Sequence, residues 1–339
     1  MEVTAPSRPL SIDDGSQVSE ARRTATQLAE RLGFDATGAG NVALVVTEIG
    51  TNILKHGGAG QILITPLRRD GVRGIEIVGI DRGKGIADVE RSLRDGYSTA
   101  GSAGTGLGAI RRLSAGFEVF SAAGQGTAVL ARLWATSLPS PLTAPRVVIG
   151  FAGAAYAGEA VSGDAWAVAE HKGRTMLLLV DGLGHGLVAA DAAREAVRLF
   201  HDNVGHAPAV IVQALHDGLR TTRGAAVAVT EIAPDRGAVQ YAGVGNICAA
   251  IVTPTSRRHL VSHNGTAGHA VRRIDEFSYS WPKDAVLVKH TDGLSTHWDF
   301  DRYPGLLMRS PALIAAVLYR DFNRGRDDVS VLTATEARG

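Results

Sequence analysis

The stretch that decides the fold is LLLVDGLGHGLVAA, residues 177–190. Four aliphatic residues run into Asp181, and three of the next five residues are glycine. An apolar run of this length, ended by glycines, predicts a buried strand that delivers a carboxylate to a tight turn. A similar stretch, LVKHTDGLSTHW at residues 287–298, delivers Asp292 and Gly293 in the same way. Two strands that end on Asp-Gly corners predict a site built from carboxylates.

The composition around this stretch is that of a globular protein with two domains. The chain has 339 residues, of which 45% are apolar and 20% are charged. A chain of this length can bury two separate cores. The formal net charge is +1, so the overall charge favours neither nucleic acid nor a membrane surface as a partner.

Cysteine usage and hydropathy predict a cytoplasmic protein. Cys248 is the only cysteine, which excludes an intrachain disulfide and argues against a cysteine-ligated zinc site. The first thirty residues do not have the pattern of a secretory signal. No apolar stretch approaches the 18 residues that a membrane-spanning helix needs.

A proline-rich segment, ATSLPSPLTAPR at residues 135–146, predicts a linker between the two domains. Before it, apolar periodicity predicts helices followed by mainly antiparallel strands, which is typical of a two-layer α+β sandwich. After it, strands dominate, and their number favours two stacked sheets flanked by helices. The predicted domains are residues 10–134 and 147–336. The predicted helices are 17–33, 38–56, 87–95, 106–115, 186–204, 207–220 and 310–321.

The second predicted helix carries a polar trio on one face. Glu48 and Asn52 are four residues apart, and Lys55 is three residues further on. In a helix these spacings place all three side chains together. A solvated stripe on a surface helix explains the trio as well as a functional site does.

Glycine-rich segments follow the trio. The strand-like stretch IVGIDRGKGI ends on Asp81 and continues with Gly83 and Gly85. Glycines let backbone N–H groups approach a phosphate closely, and the start of a helix adds a favourable dipole. A flexible loop explains an isolated glycine cluster equally well, but the order of trio, strand-end aspartate and glycine loop is more specific. The loop before the fourth predicted helix contains Gly101, Gly104, Gly106 and Gly108.

This ordered set resembles the GHKL ATPases with their Bergerat-type nucleotide fold, over residues 10–134. Residues 88–121, DVERSLRDGYSTAGSAGTGLGAIRRLSAGFEVFS, are similar to the RsbT-type serine kinases, which phosphorylate STAS-domain proteins. The resemblance implies that Asp81 accepts a hydrogen bond from the adenine amino group of ATP, and that Asn52 holds Mg²⁺ against the triphosphate. It also implies that Gly83, Gly85, Gly104, Gly106 and Gly108 shape the pocket and its lid.

Glu48 is the expected general base of such a kinase. Phosphoryl transfer needs positioning, a metal ion and a nearby base more than covalent chemistry. Lys55 either neutralises phosphate charge or is a solvated lysine. Relatives of this kinase module often pair through their sheets, which leaves a homodimer through the N-terminal domain open.

The C-terminal domain carries four aspartates at strand ends or sharp turns: Asp164, Asp181, Asp292 and Asp327. Any one of them could simply form an Asx turn. Together they predict convergence, and two carboxylates 4 Å apart repel each other by about 4 kcal/mol at an effective dielectric constant of about 20. A cation offsets this repulsion, and ligands that are all oxygen favour Mg²⁺ or Mn²⁺.

These motifs resemble the PPM family of metal-dependent Ser/Thr protein phosphatases, in its short SpoIIE/RsbX-like branch, over residues 146–336. The resemblance implies an αββα sandwich and two Mn²⁺ or Mg²⁺ ions held by the four aspartates, with Asp181 as their bridge and the carbonyl of Gly182 as a further ligand. Two such ions activate a water for attack on phosphorus. Asp328, beside Asp327, ranks below it as a ligand.

The combined expectation is a bifunctional partner-switching regulator of stress signalling. It would act on a STAS-domain protein as an ATP-dependent Ser/Thr kinase and as a Mn²⁺- or Mg²⁺-dependent phosphatase. The alternative is a phosphatase whose N-terminal domain binds ATP and a partner without catalysis. A scaffold with two inactive sites is a third possibility, and it is disfavoured because every expected ligand position is filled.

Overall fold

A computed structural model describes residues 2–3, 8–93, 106–140 and 145–337. Contacts between residues divide the chain into two compact units. The first unit consists of Met1–Thr143 and Phe300–Arg320, and the second of Ala144–Asp299 and Asp321–Gly339. The architecture is mixed α+β, as the sequence predicts. No helix in the described part of the chain is long and apolar enough to cross a membrane.

The first unit is a two-layer sandwich of helices on an antiparallel sheet. The sheet has the order β1-β3-β4-β6-β5, and β2 also pairs with β3. Its core lies between the sheet and the first two long helices, where Val42, Val45, Val46 and Ile49 are almost fully buried. The strands are β1 Glu2–Val3, β2 Arg8–Ile12, β3 Gly60–Arg69, β4 Val72–Asp81, β5 Gly116–Ser121 and β6 Thr127–Trp134. The helices are α1 Gly15–Arg31, α2 Ala36–Asn52, α3 Val89–Ser92 and α4 Gly106–Leu113.

Local signals explain where the long helices begin. Asp14 precedes α1 and forms a capping box with Gln17, which satisfies backbone donors at the start of the helix. Asp35 plays the same part for α2 by accepting a hydrogen bond from the Gly38 N–H at 2.7 Å. These caps place α2, with its Glu48 and Asn52, firmly against the sheet.

The second unit contains two stacked five-stranded sheets. Their strand orders are β14-β11-β10-β9-β8 and β13-β12-β15-β16-β7. The strands are β7 Val147–Ala154, β8 Asp164–His171, β9 Arg174–Gly182, β10 Ala225–Ala233, β11 Ala238–Val244, β12 Cys248–Thr253, β13 Ser256–His259, β14 Phe277–Ser280, β15 Val286–His290 and β16 Val329–Glu336. The helices are α5 Gly186–Asp202 and α6 Pro208–Gly218. The helix that follows them in the chain, α7 Pro311–Phe322, lies almost entirely in the segment Phe300–Arg320, which groups with the first unit.

Alternation along β9 separates two cores in this unit. Leu177 and Leu179 pack between the two sheets, whereas Leu178 and Val180 pack under α5 and α6. Successive side chains of a strand point to opposite faces, so the next residue in the first series, Asp181, points to the face between the sheets. Strand β9 therefore delivers its carboxylate to the end of the sandwich.

Several elements differ from the predictions, including the strands β1 and β2, which the sequence analysis did not predict. The strands β13 and β14 are short and flank turns, and their polar sequences carry no apolar period. The helix expected over 38–56 is α-helical only to Asn52 and continues as a π-helical turn, Ile53–Gly57. Lys55 lies in that turn, so the α-helical spacing that would align it with Glu48 and Asn52 does not hold.

Candidate functional site

The first candidate site surrounds Asp81 at the end of β4. Its side chain is 8% exposed, and burial raises the pKa of its carboxyl. The Gly83 N–H donates to its Oδ1 at 2.8 Å, which opposes that shift. Arg320, from the segment that groups with this unit, donates from Nη1 to the Asp81 carbonyl at 3.0 Å. The aspartate is thus fixed at its backbone and at one oxygen.

Glycines are required where the π-helical turn meets this strand end. A Cβ at Gly57 would lie 2.5 Å from the Asp81 Cβ, and a Cβ at Gly83 would lie 2.4 Å from the His56 carbonyl oxygen. Real Cβ atoms do not approach other atoms so closely. Gly85 follows in the loop with a φ of +71°. The predicted DxGxG pattern therefore has a packing reason in addition to any part in ligand binding.

Positive side chains gather beside Asp81. His56 and Lys55 lie in the π-helical turn, and Lys84 lies between the two glycines of the loop. The pKa of His56 is lowered, first by burial and then by the charges of Lys84 and Lys55. Lys55 and Lys84 carry positive charge that suits a ligand with several phosphates, whereas the lowered pKa of His56 favours its neutral form. The sequence indicated Lys55 but gave no signal for His56 or Lys84.

Glu48 and Asn52 face the start of α4. A Cβ at Gly106 would lie 3.3 Å from Asn52 Oδ1 and 3.6 Å from Glu48 Oε2. The structure therefore brings the carboxylate and the amide to the N-terminus of this helix, and a helix N-terminus favours a bound phosphate. Gly108 lies one turn inside the same helix and is buried. Gly104 lies outside the described residues.

The second candidate site lies at the end of the two-sheet sandwich. Asp164 opens β8 and stands directly across from Asp181 in the antiparallel register of β8 and β9. Asp164 is 6% exposed, and burial followed by the charge of Asp181 raises the pKa of its carboxyl well above the usual value. Burial and the charges of Asp292, Asp327 and Asp328 raise the pKa of Asp181 to about 7. The four predicted aspartates therefore share one neighbourhood.

Asp327 and Asp328 have different contacts. Both oxygens of Asp328 accept backbone hydrogen bonds at 2.7 Å, one from Tyr156 N–H and one from Gly163 N–H. Its side chain thus holds the loop between β7 and β8. Asp327 is exposed and accepts from the Asp328 N–H at 2.8 Å. Asp327 is the member of the pair that remains open to a cation.

The Gly182 position accepts only glycine. A Cβ there would lie 2.4 Å from the carbonyl oxygen of Ala189 in the first turn of α5. Gly182 N–H also donates to the Gly163 carbonyl at 3.1 Å. These two close approaches hold the Asp181–Gly182 corner against both the loop before β8 and the helix after it.

The donor set fits a hard divalent cation, although the side chains are not gathered around one point. Among the residues that the structure describes, no three His, Cys, Asp or Glu side chains stand close enough together to hold a metal ion. Burial, followed by the charges of neighbouring aspartates, nevertheless raises the pKa of Asp164 and of Asp181, so negative charge is concentrated at this strand end. Oxygen ligands without a cysteine or histidine cluster are those that Mg²⁺ and Mn²⁺ prefer.

Sequence reasoning missed two groups that hold these aspartates. Asn246 Nδ2 donates to Asp292 Oδ2 at 2.8 Å, and Thr291 Oγ1 donates to Asp164 Oδ2 at 2.8 Å. Asn246 follows β11 at a turn, where asparagine is ordinary, and gave no sign of its contact. Thr291 directly precedes Asp292, and its position at the end of an apolar strand was the available signal.

Comparisons with known proteins match the two parts of the chain to different families. The family of histidine kinase-like ATPase domains matches residues 13–133, and the family of stage II sporulation protein E (SpoIIE) matches residues 171–335. The serine/threonine-protein kinase RsbT of Bacillus subtilis (strain 168) is 35% identical to this chain over 114 residues. That match covers 34% of this chain and 86% of RsbT.

A solved structure is similar in fold to more than half of this chain. It comes from work that describes the bacterial stressosome as a modular system adapted to control secondary messenger signalling. It is 26% identical to this chain with a TM-score of 0.52, and it covers 56% of this chain and 98% of its own. The fold that the sequence predicts, an ATP-binding sandwich followed by a phosphatase sandwich, is confirmed.

Proposed function

This chain belongs, through its N-terminal part, to the family of the serine/threonine-protein kinase RsbT and carries a SpoIIE-type phosphatase domain after it, and from this premise we propose that it runs two opposed reactions on one class of partner. The partner is a STAS-domain protein with a phosphorylatable serine or threonine. The first unit transfers phosphate to that protein from ATP, and the second removes it. Both reactions take place in the cytoplasm, where ATP is present.

The kinase reaction is carried by Glu48. Its carboxylate lies with Asn52 beside the start of α4, where the terminal phosphate of ATP would be held. Glu48 takes the proton from the attacking hydroxyl while the phosphoryl group moves to that oxygen and ADP leaves. Asp81 accepts the adenine amino group, and Lys55 offsets phosphate charge. A bound Mg²⁺, held by Asn52, supplies further neutralisation of the triphosphate.

The phosphatase reaction is carried by the facing pair of Asp164 and Asp181. With Asp292, Asp327 and the carbonyl of Gly182 they offer the oxygen ligands for two Mn²⁺ or Mg²⁺ ions. Such ions supply an activated water and charge stabilisation for in-line attack on phosphorus. Asn246 and Thr291 orient two of the carboxylates, and the corner at Gly182 keeps its carbonyl next to Asp181.

One observation distinguishes this proposal from its alternative, in which the first unit only binds ATP and a partner. A nucleotide sensor needs Asp81 and the glycines, but it has no use for a carboxylate beside the phosphate site. Glu48 Oε2 lies close to both Asn52 and Gly106, where a general base is needed. Its position favours catalysis.

A phosphate-transfer assay tests both activities. The full chain is mixed with ATP and Mn²⁺ and with either the phosphorylated or the unphosphorylated form of a STAS protein encoded beside its gene. We expect phosphate to be added to one form and removed from the other. Glu48→Gln should stop only the addition and Asp181→Asn only the removal. The absence of phosphate movement in either direction would overturn the proposal.

A further inference from the structure

The side chain of Thr291 occupies a junction at the end of the two-sheet sandwich. Pairing between β15 and β16 ends at His290 and Val331. One residue further on, the Thr291 N–H still donates to the Ser330 carbonyl at 3.1 Å. Thr291 itself is fully buried. It is therefore the last residue that ties the strand leading to Asp292 to the strand that follows Asp327.

The Thr291 carbonyl is already engaged by its own turn. It accepts from the Leu294 N–H at 3.2 Å and lies 2.8 Å from His290 Nδ1. The acceptor for the Ser330 N–H is instead the Thr291 hydroxyl, at 3.0 Å. The side-chain oxygen of Thr291 thus replaces a backbone carbonyl as the acceptor at the end of the β15–β16 pairing.

This arrangement leaves the hydroxyl proton one partner. A hydroxyl has a single proton and can accept through its lone pairs. Because Ser330 N–H occupies the acceptor side, the proton is free to point to Asp164 Oδ2, which lies 2.8 Å from Thr291 Oγ1.

We propose that Thr291 is a positioning residue for the divalent-metal site, because its hydroxyl fixes the Asp164 carboxylate and couples it to the strand that follows Asp327. This inference rests on the proposed phosphatase function. It assigns no metal contact to Thr291 itself. Groups that orient a ligand in this way affect metal affinity strongly, and their loss typically weakens binding by about 10- to 100-fold.

Matched substitutions at Thr291 test the inference in the full chain. Thr291→Val has nearly the same shape but no hydroxyl, whereas Thr291→Ser keeps the hydroxyl and loses the methyl group. Mn²⁺ binding is measured by calorimetric titration, and the rise in unfolding temperature on adding Mn²⁺ gives a second readout. We expect Thr291→Val to bind Mn²⁺ at least about 10-fold more weakly than the wild type. We expect Thr291→Ser to bind nearly as well as the wild type.

The possible outcomes separate this inference from the phosphatase proposal. If Thr291→Val binds Mn²⁺ as tightly as the wild type, or if the valine and serine variants lose affinity equally, the role of the hydroxyl is overturned. The phosphatase proposal is not affected by either result. A wild-type chain that takes up no Mn²⁺ would overturn both. Thr291→Ala removes the hydroxyl without adding a methyl group, and it replaces the valine variant if thermal melting shows that the latter does not fold.

Discussion

Asp164 and Asp181 stand directly opposite each other on two neighbouring antiparallel strands at the end of the second unit. Like charges at facing positions of a sheet destabilise it. The charge of Asp181 also adds to burial in raising the pKa of the Asp164 carboxyl. A pair placed in this way costs stability unless protons or a cation offset its charge, so the metal-free chain should show that cost.

Asp181→Asn should stabilise the metal-free chain above neutral pH. The pKa of Asp181 is raised from 3.8 to about 7 in the folded chain. A carboxyl whose pKa is raised by folding contributes stability below its unfolded value and loses it as the pH rises through the folded value. Between pH 4 and pH 7 the wild type should therefore lose on the order of 4 kcal/mol relative to the variant. Thermal unfolding of both chains in a chelator, across this pH range, measures the difference.

Mn²⁺ should make the wild type more stable than Asp181→Asn, which reverses their order in the metal-free state. It should raise the unfolding temperature of the wild type, because it binds only the folded state, and leave that of Asp181→Asn nearly unchanged. Asp191→Asn, at an exposed position on α5, is the matched control. Equal pH profiles for wild type and Asp181→Asn would contradict the assigned proximity of the acids.

Gly182→Ala should lose both stability and phosphatase activity. The added Cβ would lie 2.4 Å from a backbone oxygen of α5, so the corner after Asp181 must shift. Overpacking of this kind typically costs about 1–3 kcal/mol. Gly40→Ala is the control, because a Cβ at that helical position meets nothing within 4 Å. Denaturant unfolding should show a loss for the first variant and none for the second.

Glu48→Gln should abolish phosphorylation of the partner without weakening ATP binding. The amide keeps the size of the side chain but cannot take a proton, and loss of a general base costs about 10²- to 10⁴-fold in rate. Transfer of labelled phosphate from ATP measures the rate, and fluorescence of a nucleotide analogue measures binding. Unchanged phosphorylation in this variant would favour the non-catalytic ATP-binding alternative.

Asp81→Asn should weaken ATP binding and leave the phosphatase reaction intact. Oδ1 of Asp81 accepts from the Gly83 N–H, so the amide of the variant must keep its oxygen on that side. Its NH₂ group then faces the adenine amino group, and two donors oppose each other. We expect at least about a tenfold loss of affinity, which corresponds to about 1.4 kcal/mol. Unaltered ATP affinity would remove Asp81 from the nucleotide site.

The sequence predicts both folds and the neighbourhood of the acids, because these depend on strong local signals. An apolar run that ends on Asp-Gly fixes a strand end, and the long helices have clear periodicity and caps. The different contacts of Asp327 and Asp328 do not follow from a local sequence signal. Two adjacent aspartates look alike in sequence, and only the fold shows that Asp328 holds the backbone N–H groups of Tyr156 and Gly163.

Other features depend on contacts between distant segments. The π-helical turn after Asn52 packs Gly57 closely against Asp81, a contact that no spacing rule for α-helices anticipates. Thr291 and Asn246 are ordinary residues at a strand end and a turn. Their contacts with Asp164 and Asp292 appear only in the folded chain, since hydrogen bonds between residues 46 and 127 positions apart leave no local pattern.

Lys289 gives a prediction that is independent of either active site. Its side chain is fully buried between the sheets, and Nζ donates to the carbonyls of Ala228 at 2.8 Å and Leu177 at 3.2 Å. Burial lowers the pKa of its ammonium group well below 10.5. A base whose pKa is lowered by folding makes the folded state less stable as the pH falls below its unfolded value.

Lys289→Met should therefore be more stable than the wild type at pH 7, because methionine fills the same space without a group that must lose its proton to be buried. The advantage should shrink by at most about 1.4 kcal/mol per pH unit as the pH rises toward 10, where the unfolded lysine also loses its charge. Thermal unfolding of the metal-free chains from pH 7 to 10 measures it, with the exposed Lys172→Met as control. A difference that does not change with pH would mean that the buried amine keeps its proton, held by the two carbonyls alone.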